Sequence, residues 1–166
     1  MRFPRPRFTT VLGLPAALLA ACGGSSSPTS PTPPPLTPAQ IEARYAAAAG
    51  RYNQGEAQIA PMENASCDAA SPTVAVGACQ AALSSQRQLT IAYDNALRAI
   101  PFTGSAATAA ARLLGDDAAI EKLLEQAATA PTIAVIATLQ QQVIPLLATA
   151  ASDATALRAA IGLPAA

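Results

Sequence analysis

From Leu36 onward, apolar residues return every three or four positions, alanine fills the intervals between them, and proline punctuates the runs. A three-to-four spacing is the period of a helix face. Alanine is the best helix former and a poor strand former. Proline fits the first turn of a helix and disturbs its interior. Together these features restrict the chain to helices that bury apolar stripes against one another.

Four such segments can be read. The first opens at Thr37-Pro38-Ala39-Gln40. Thr37 can cap, Pro38 suits the first helical position and Gln40 completes a capping box. Ile41, Tyr45, Ala48, Tyr52 and Ile59 follow on one face, and Pro61 predicts an end or a kink. A connector, Met62 to Ser71, comes next. The second helix starts at Ser71-Pro72, carries Val76, Cys79, Leu83, Thr90, Tyr93, Leu97 and Ile100, and stops at Pro101. The third starts near Thr103 or Ser105 and carries Leu113, Leu114, Ile120, Leu123 and Leu124, with a break expected at Gly115 to Asp117. The fourth starts at Pro131, carries Ile133, Ile136, Leu139, Val143, Leu146, Leu147, Leu157 and Ile161, bends at Pro145 and ends at Gly162 and Pro164. Short connections between amphipathic helices predict an all-α, up-down-up-down four-helix bundle over residues 37–166. That length is enough for a real core.

The chain begins differently. MRFPRPRF is cationic, Val11 to Ala21 is apolar or small, and Ala20 and Ala21 precede Cys22. A basic start, a short apolar middle and a small-residue end describe a secretory signal peptide, here residues 1–21. Leu19-Ala20-Ala21-Cys22 resembles the lipobox of bacterial lipoproteins at all four positions. The resemblance implies cleavage just before Cys22, acylation of its sulfur (palmitate or a similar chain) and its place as the mature N-terminus. One acyl chain holds a protein only marginally, at about 0.8 kcal/mol per buried methylene, so the two or three chains that the resemblance implies would hold it firmly. The implied location is the outer membrane or the outer face of the cytoplasmic membrane. Gly, Ser, Thr and Pro alone fill Gly23 to Pro35, so residues 22–36 read as an acylated terminus followed by a spacer that cannot bury apolar surface.

Without the leader's Arg2, Arg5 and Arg7, seven basic residues stand against ten acidic ones, a net charge of −3. No Lys/Arg stripe is present, which argues against nucleic acid as a partner. Setting Cys22 aside leaves Cys67 and Cys79, an even pair in an oxidising compartment and therefore a predicted disulfide. The alternative, a redox or metal pair, lacks C-x-x-C spacing and has no His to help bind zinc.

Chemistry is scarce. A chain without His has neither a Ser-His-Asp triad nor a Cys-His pair. Asp94 and Arg98, four apart, are expected to pair on the solvent face. Asp116, Asp117, Glu121 and Glu125 form the densest acidic group, and a solvated face is the expectation for them too. Tyr45, Tyr52 and Tyr93 read as packing residues with wet hydroxyls. No catalytic, cofactor or metal site is predicted. The sequence is best read as a membrane-tethered envelope lipoprotein with a non-catalytic helical interaction domain and an envelope protein as partner. A carrier that holds a small apolar ligand between its helices is the alternative.

Overall fold

The computed structural model describes residues 35–68 and 75–164. The leader, Cys22, most of the spacer, Ser71 and Pro72 lie outside the described residues; the helix expected to start at Ser71 begins instead at Val76, after an extended Ala75. Four helices form: α1 (Pro38–Ser66), α2 (Val76–Arg98), α3 (Gly104–Ala128) and α4 (Ile133–Ala160). They build the all-α four-helix bundle that the apolar spacing predicts.

The helix ends follow from local chemistry. Thr37 Oγ1 accepts from Gln40 N at 3.3 Å, and Gln40 Oε1 accepts from Thr37 N at 2.9 Å, closing the capping box with Pro38 at the first helical position. Thr132 caps α4 by accepting from Val135 N. At the far end of α4 the Gly162 N–H donates to Ala159 O and the Leu163 N–H to Arg158 O. Gly162 has φ +85°. Those two bonds and the left-handed residue make a Schellman stop, which favours glycine at that position.

Two expected helix ends are not found. Pro61 does not end α1; the helix continues to Ser66, so Met62 to Ser66 are helical rather than connector. A proline removes one backbone donor, and the turn after it is held in other ways. The Cys67 N–H donates to Glu63 O at 2.8 Å, and Cys67 is disulfide-bonded to Cys79 in the first turn of α2, with Cα atoms 4.9 Å apart. A loop of this size contributes about 3 kcal/mol by restricting the unfolded chain. Nor does α3 break at Gly115; it runs unbroken from Gly104 to Ala128. Gly115 costs helix stability, but Leu113, Asp117, Ile120 and Leu124 around it are all buried, and that packing overrides local propensity.

The core repeats in sevens. Ile136, Val143, Ala150 and Leu157 are the buried residues of α4; Ala106, Leu113, Ile120 and Ala127 make one buried row of α3, and Ala110, Asp117 and Leu124 make another. Rows of this period belong to left-handed, coiled-coil-like bundles. Close backbone approach joins α1 to α2, α2 to α3 and α3 to α4. Gly55 permits the first of these, since a Cβ there would lie 2.5 Å from Leu89 Cδ1. Successive helices run antiparallel. Gln80, early in α2, donates to the Ala130 carbonyl beyond the end of α3 at 2.8 Å. Arg112 pairs with Asp153 at 3.3 Å across α3 and α4. The first and last helices face each other without comparable backbone approach.

Gly115→Ala should stabilise the protein by about 0.5–1 kcal/mol, because the helix is continuous there and a Cβ meets nothing within 4 Å. Chemical denaturation of the two proteins measures this; a loss of stability would place an opening in α3 after all.

Candidate functional site

Two aspartates occupy core positions of the bundle. Asp94 on α2 is 0 % exposed and Asp117 on α3 is 7 % exposed. Asp94 pairs with Arg98 as its spacing predicts, Nη2 to Oδ2 at 2.9 Å. The pair is not on the solvent face, however. Only the guanidinium reaches water, its side chain half exposed, while the carboxylate lies inside. Asp117 likewise departs from the expected solvated face, whereas Glu125, two turns on, keeps it and pairs with Arg87 at 3.5 Å.

Oδ1 of Asp94 and Oδ2 of Asp117 are buried and accept from no donor in the protein. Burial pushes the Asp117 carboxyl up to about 8; its contact with Asp94 and the charges of Asp94, Asp116 and Glu121 push the same way. Burial also raises Asp94, but its contact with Asp117 and the nearby Arg98 oppose that rise. The two carboxyls titrate as a pair, with Asp117 the member pushed further up and Asp94 the one that Arg98 favours as a carboxylate.

All three of the chain's tyrosines converge on the same place. Tyr45 is buried on α1, and the rings of Tyr52 and Tyr93 lie 5.0 Å apart, tilted by 43°. Burial raises the Tyr52 and Tyr93 phenols well above their ordinary value. For Tyr52 the neighbouring Glu56 adds to it, and for Tyr93 the neighbouring Tyr45 does. Both remain neutral hydroxyls.

The three tyrosines and Asp117 line one wall of a cleft of about 370 Å³ between α1 and α4. The opposite wall is Leu147, Ala150, Ala151 and Ala154 of α4, and Arg158 stands at one end. Three alanines facing three tyrosines explain the gap: a methyl group does not reach across the space that a leucine would fill. Arg158 is held by Nε and Nη2 donating to the Pro164 carbonyl at 3.0 and 2.9 Å. Beyond Tyr52 and Leu147 a narrower space continues past Glu56, Gln86 and Thr90 toward Glu63, where Gln140 Nε2 donates to Glu63 Oε1 at 3.3 Å and bridges α4 to α1. Gln86 donates to Glu56 in the same stretch.

No family model, curated protein or solved structure matches this chain. What the cleft can do rests on its own chemistry. It offers an apolar floor, three phenols and one carboxyl raised by burial, a set that can hold a small molecule and orient it by hydrogen bonds. Among the described residues, no group of three or more His, Cys, Asp or Glu is placed to hold a metal ion.

Reading the residues alone missed Asp94 and Asp117. Their signal was positional. Asp117 is seven residues from both Ala110 and Leu124, and Asp94 is three before Leu97, so both stand in the core register despite their charge.

The pH dependence follows from the direction of the Asp117 shift. A carboxyl raised from 3.8 to about 8 keeps its proton in the folded state after the unfolded chain has lost it. Stability is therefore full below about pH 4 and declines as pH rises to 8. Asp94, Glu63, Asp116 and Glu121, also raised, act in the same sense. Asp117→Asn keeps a donor toward Asp94 and cannot ionise. In urea titrations it should exceed the wild type by about 2 kcal/mol or more at pH 9 and lie within about 1 kcal/mol of it at pH 4. An equal loss at both pH values would contradict the shared proton.

Proposed function

We propose that the protein is a lipid-anchored envelope lipoprotein whose helical domain binds a small, partly apolar ligand without transforming it. The observation that carries this reading is the cleft between α1 and α4, on which every tyrosine of the chain converges. Its volume lies within the range of small-molecule sites, its lining is mostly apolar, and its few polar groups come from different helices. The anchor is supported by Leu19-Ala20-Ala21-Cys22 and by the Gly/Ser/Thr/Pro spacer after it. A ligand-binding domain on such a spacer would stand clear of the lipid surface and sample the surrounding fluid.

A second reading, docking of an envelope protein, is favoured by Ile144 and Leu147. They are 57 % and 47 % exposed and lie one turn apart on α4 beside the cleft. By length and composition α4 is also apolar enough to cross a membrane. Its heptad row of buried residues, the three glutamines Gln140 to Gln142 and Pro145 favour a bundle helix over a span.

Native mass spectrometry of the protein purified from its own membrane tests both parts. The expected mass is that of a chain starting at an acylated Cys22, carrying a small molecule that dissociates on activation. Ala151→Trp, which fills the cleft from an exposed position, should lose that molecule and keep the acyl mass. A bare Cys22 within a chain that starts elsewhere would overturn the anchor. An empty wild-type cleft, or a molecule retained by Ala151→Trp, would overturn the binding site.

A further inference from the structure

The cleft's ligand class can be read from what its buried acid lacks. Asp117 is more than nine-tenths buried, lines both the cleft and its narrower continuation, and its Oδ2 accepts from no protein donor. Asp94 beside it already has a cation in Arg98. The two carboxyls thus share one guanidinium, and Arg158 at the end of the cleft is committed to the Pro164 carbonyl, so Asp117 loses its proton most readily when another positive charge enters the cleft.

The walls suit a particular kind of cation. Tyr45, Tyr52 and Tyr93 present aromatic rings from two helices, and ring faces attract ammonium groups, most strongly where water is excluded. The α4 side is mostly alanine and leucine, which accommodates methyl or methylene groups; its Thr155 hydroxyl donates to the Ala151 carbonyl and its Arg158 repels a metal cation. We propose that the cleft binds a small organic cation, an alkylated or quaternary amine, with its charge against Asp117 and its apolar groups between the tyrosines and the α4 alanines. This inference rests on the reading of the cleft as a small-ligand site and names the class of ligand.

Binding exchanges a proton for the cation. The Asp117 O–H bond breaks, the proton leaves to solvent, and the ammonium charge takes over the role of counterion. The other charged and titratable groups around Asp117 are compatible with this exchange. From α1, Tyr45 is buried, Tyr52 is a neutral phenol, and Glu56 is held by Gln86. From α2, Tyr93 is neutral and Asp94 is matched by Arg98. On α3 itself, Asp116 and Glu121 add negative potential. From α4, Arg158 opposes a cation, but it stands at one end of the cleft with two of its N–H groups committed to Pro164.

The chain has no Trp, so its near-ultraviolet fluorescence comes from the three cleft tyrosines. That makes binding directly readable with three isosteric, non-absorbing probes: choline, the neutral 3,3-dimethylbutan-1-ol and the anionic 3,3-dimethylbutyrate. Choline should bind at least tenfold more tightly than the neutral probe at pH 9, and dimethylbutyrate more weakly than either. Choline affinity should fall about tenfold for each pH unit below 8, with one proton released per cation in calorimetry across buffers of different ionisation heat. Asp117→Asn should bind choline no better than the neutral probe and should lose the pH dependence. The wild-type pH series and the probe ranking stand even if that variant folds poorly. Equal binding of choline and the alcohol would leave a small-ligand cleft and overturn its preference for cations, as would tightest binding of the anion. No response to any probe would overturn this inference, while the ligand-site reading would still be decided by native mass spectrometry.

Discussion

A carboxylate taken out of water costs several kcal/mol unless a cation and hydrogen bonds compensate it, and this bundle takes in two. Asp94 is compensated by Arg98, whose long side chain carries its charge to the surface. Asp117 is not. The least costly solution for an acid without a counterion is to keep its proton, and a protonated Asp117 can donate to the neighbouring Asp94 carboxylate. The polar centre of the bundle is thus satisfied by one guanidinium and one proton. Changing the pH, or bringing in a cation, acts on that balance first.

Alanine sets the shape around this centre. It lets α1 through α4 form with high intrinsic propensity, and it permits near approach between neighbouring helices. Its short side chain also leaves the α1–α4 seam unfilled where Ala150, Ala151 and Ala154 face the tyrosines. The same composition that makes the helices makes the cleft. The disulfide between Cys67 and Cys79 fixes one end of the bundle, and the capping box at Thr37 and the Schellman stop at Gly162 define the other. The seam is bridged at Glu63 and Gln140. Its open part is framed at both ends rather than frayed.

The fold was legible in the sequence because the helical period marked four segments, and the capping box at Thr37 and the stop at Gly162 marked two of their ends. The disulfide was legible from the count of cysteines once Cys22 was set aside. Two readings failed because local propensity was given more weight than tertiary structure: buried rows of α3 continue past Gly115, and the turn after Pro61 is held by Cys67, through its N–H on the Glu63 carbonyl and its disulfide. The site was hidden for a different reason. Aspartate next to arginine at a spacing of four reads as a surface pair, and a run of acids at the same spacing reads as a wet face. Only the heptad register, which places Asp94 and Asp117 in line with buried neighbours, separates them from Glu121 and Glu125. The tyrosines were placed on core faces correctly, but their meeting in one cleft depends on how separate helices are arranged, and periodicity within one helix carries no such information.

In the proposed role, a lipid on Cys22 and a proline-rich spacer hold a domain whose ligand site is governed by one buried proton. The most direct test of that proton is carbon-13 NMR of the aspartate side-chain carboxyls across the pH range, with Asp94 and Asp117 assigned by substitution. If they share it, one of the two is still protonated at pH 7 and titrates only near pH 8, and the other senses that step. If both titrate near pH 4 like the exposed aspartates, the proton is not there, and the electrostatic basis of the cleft's chemistry falls with it.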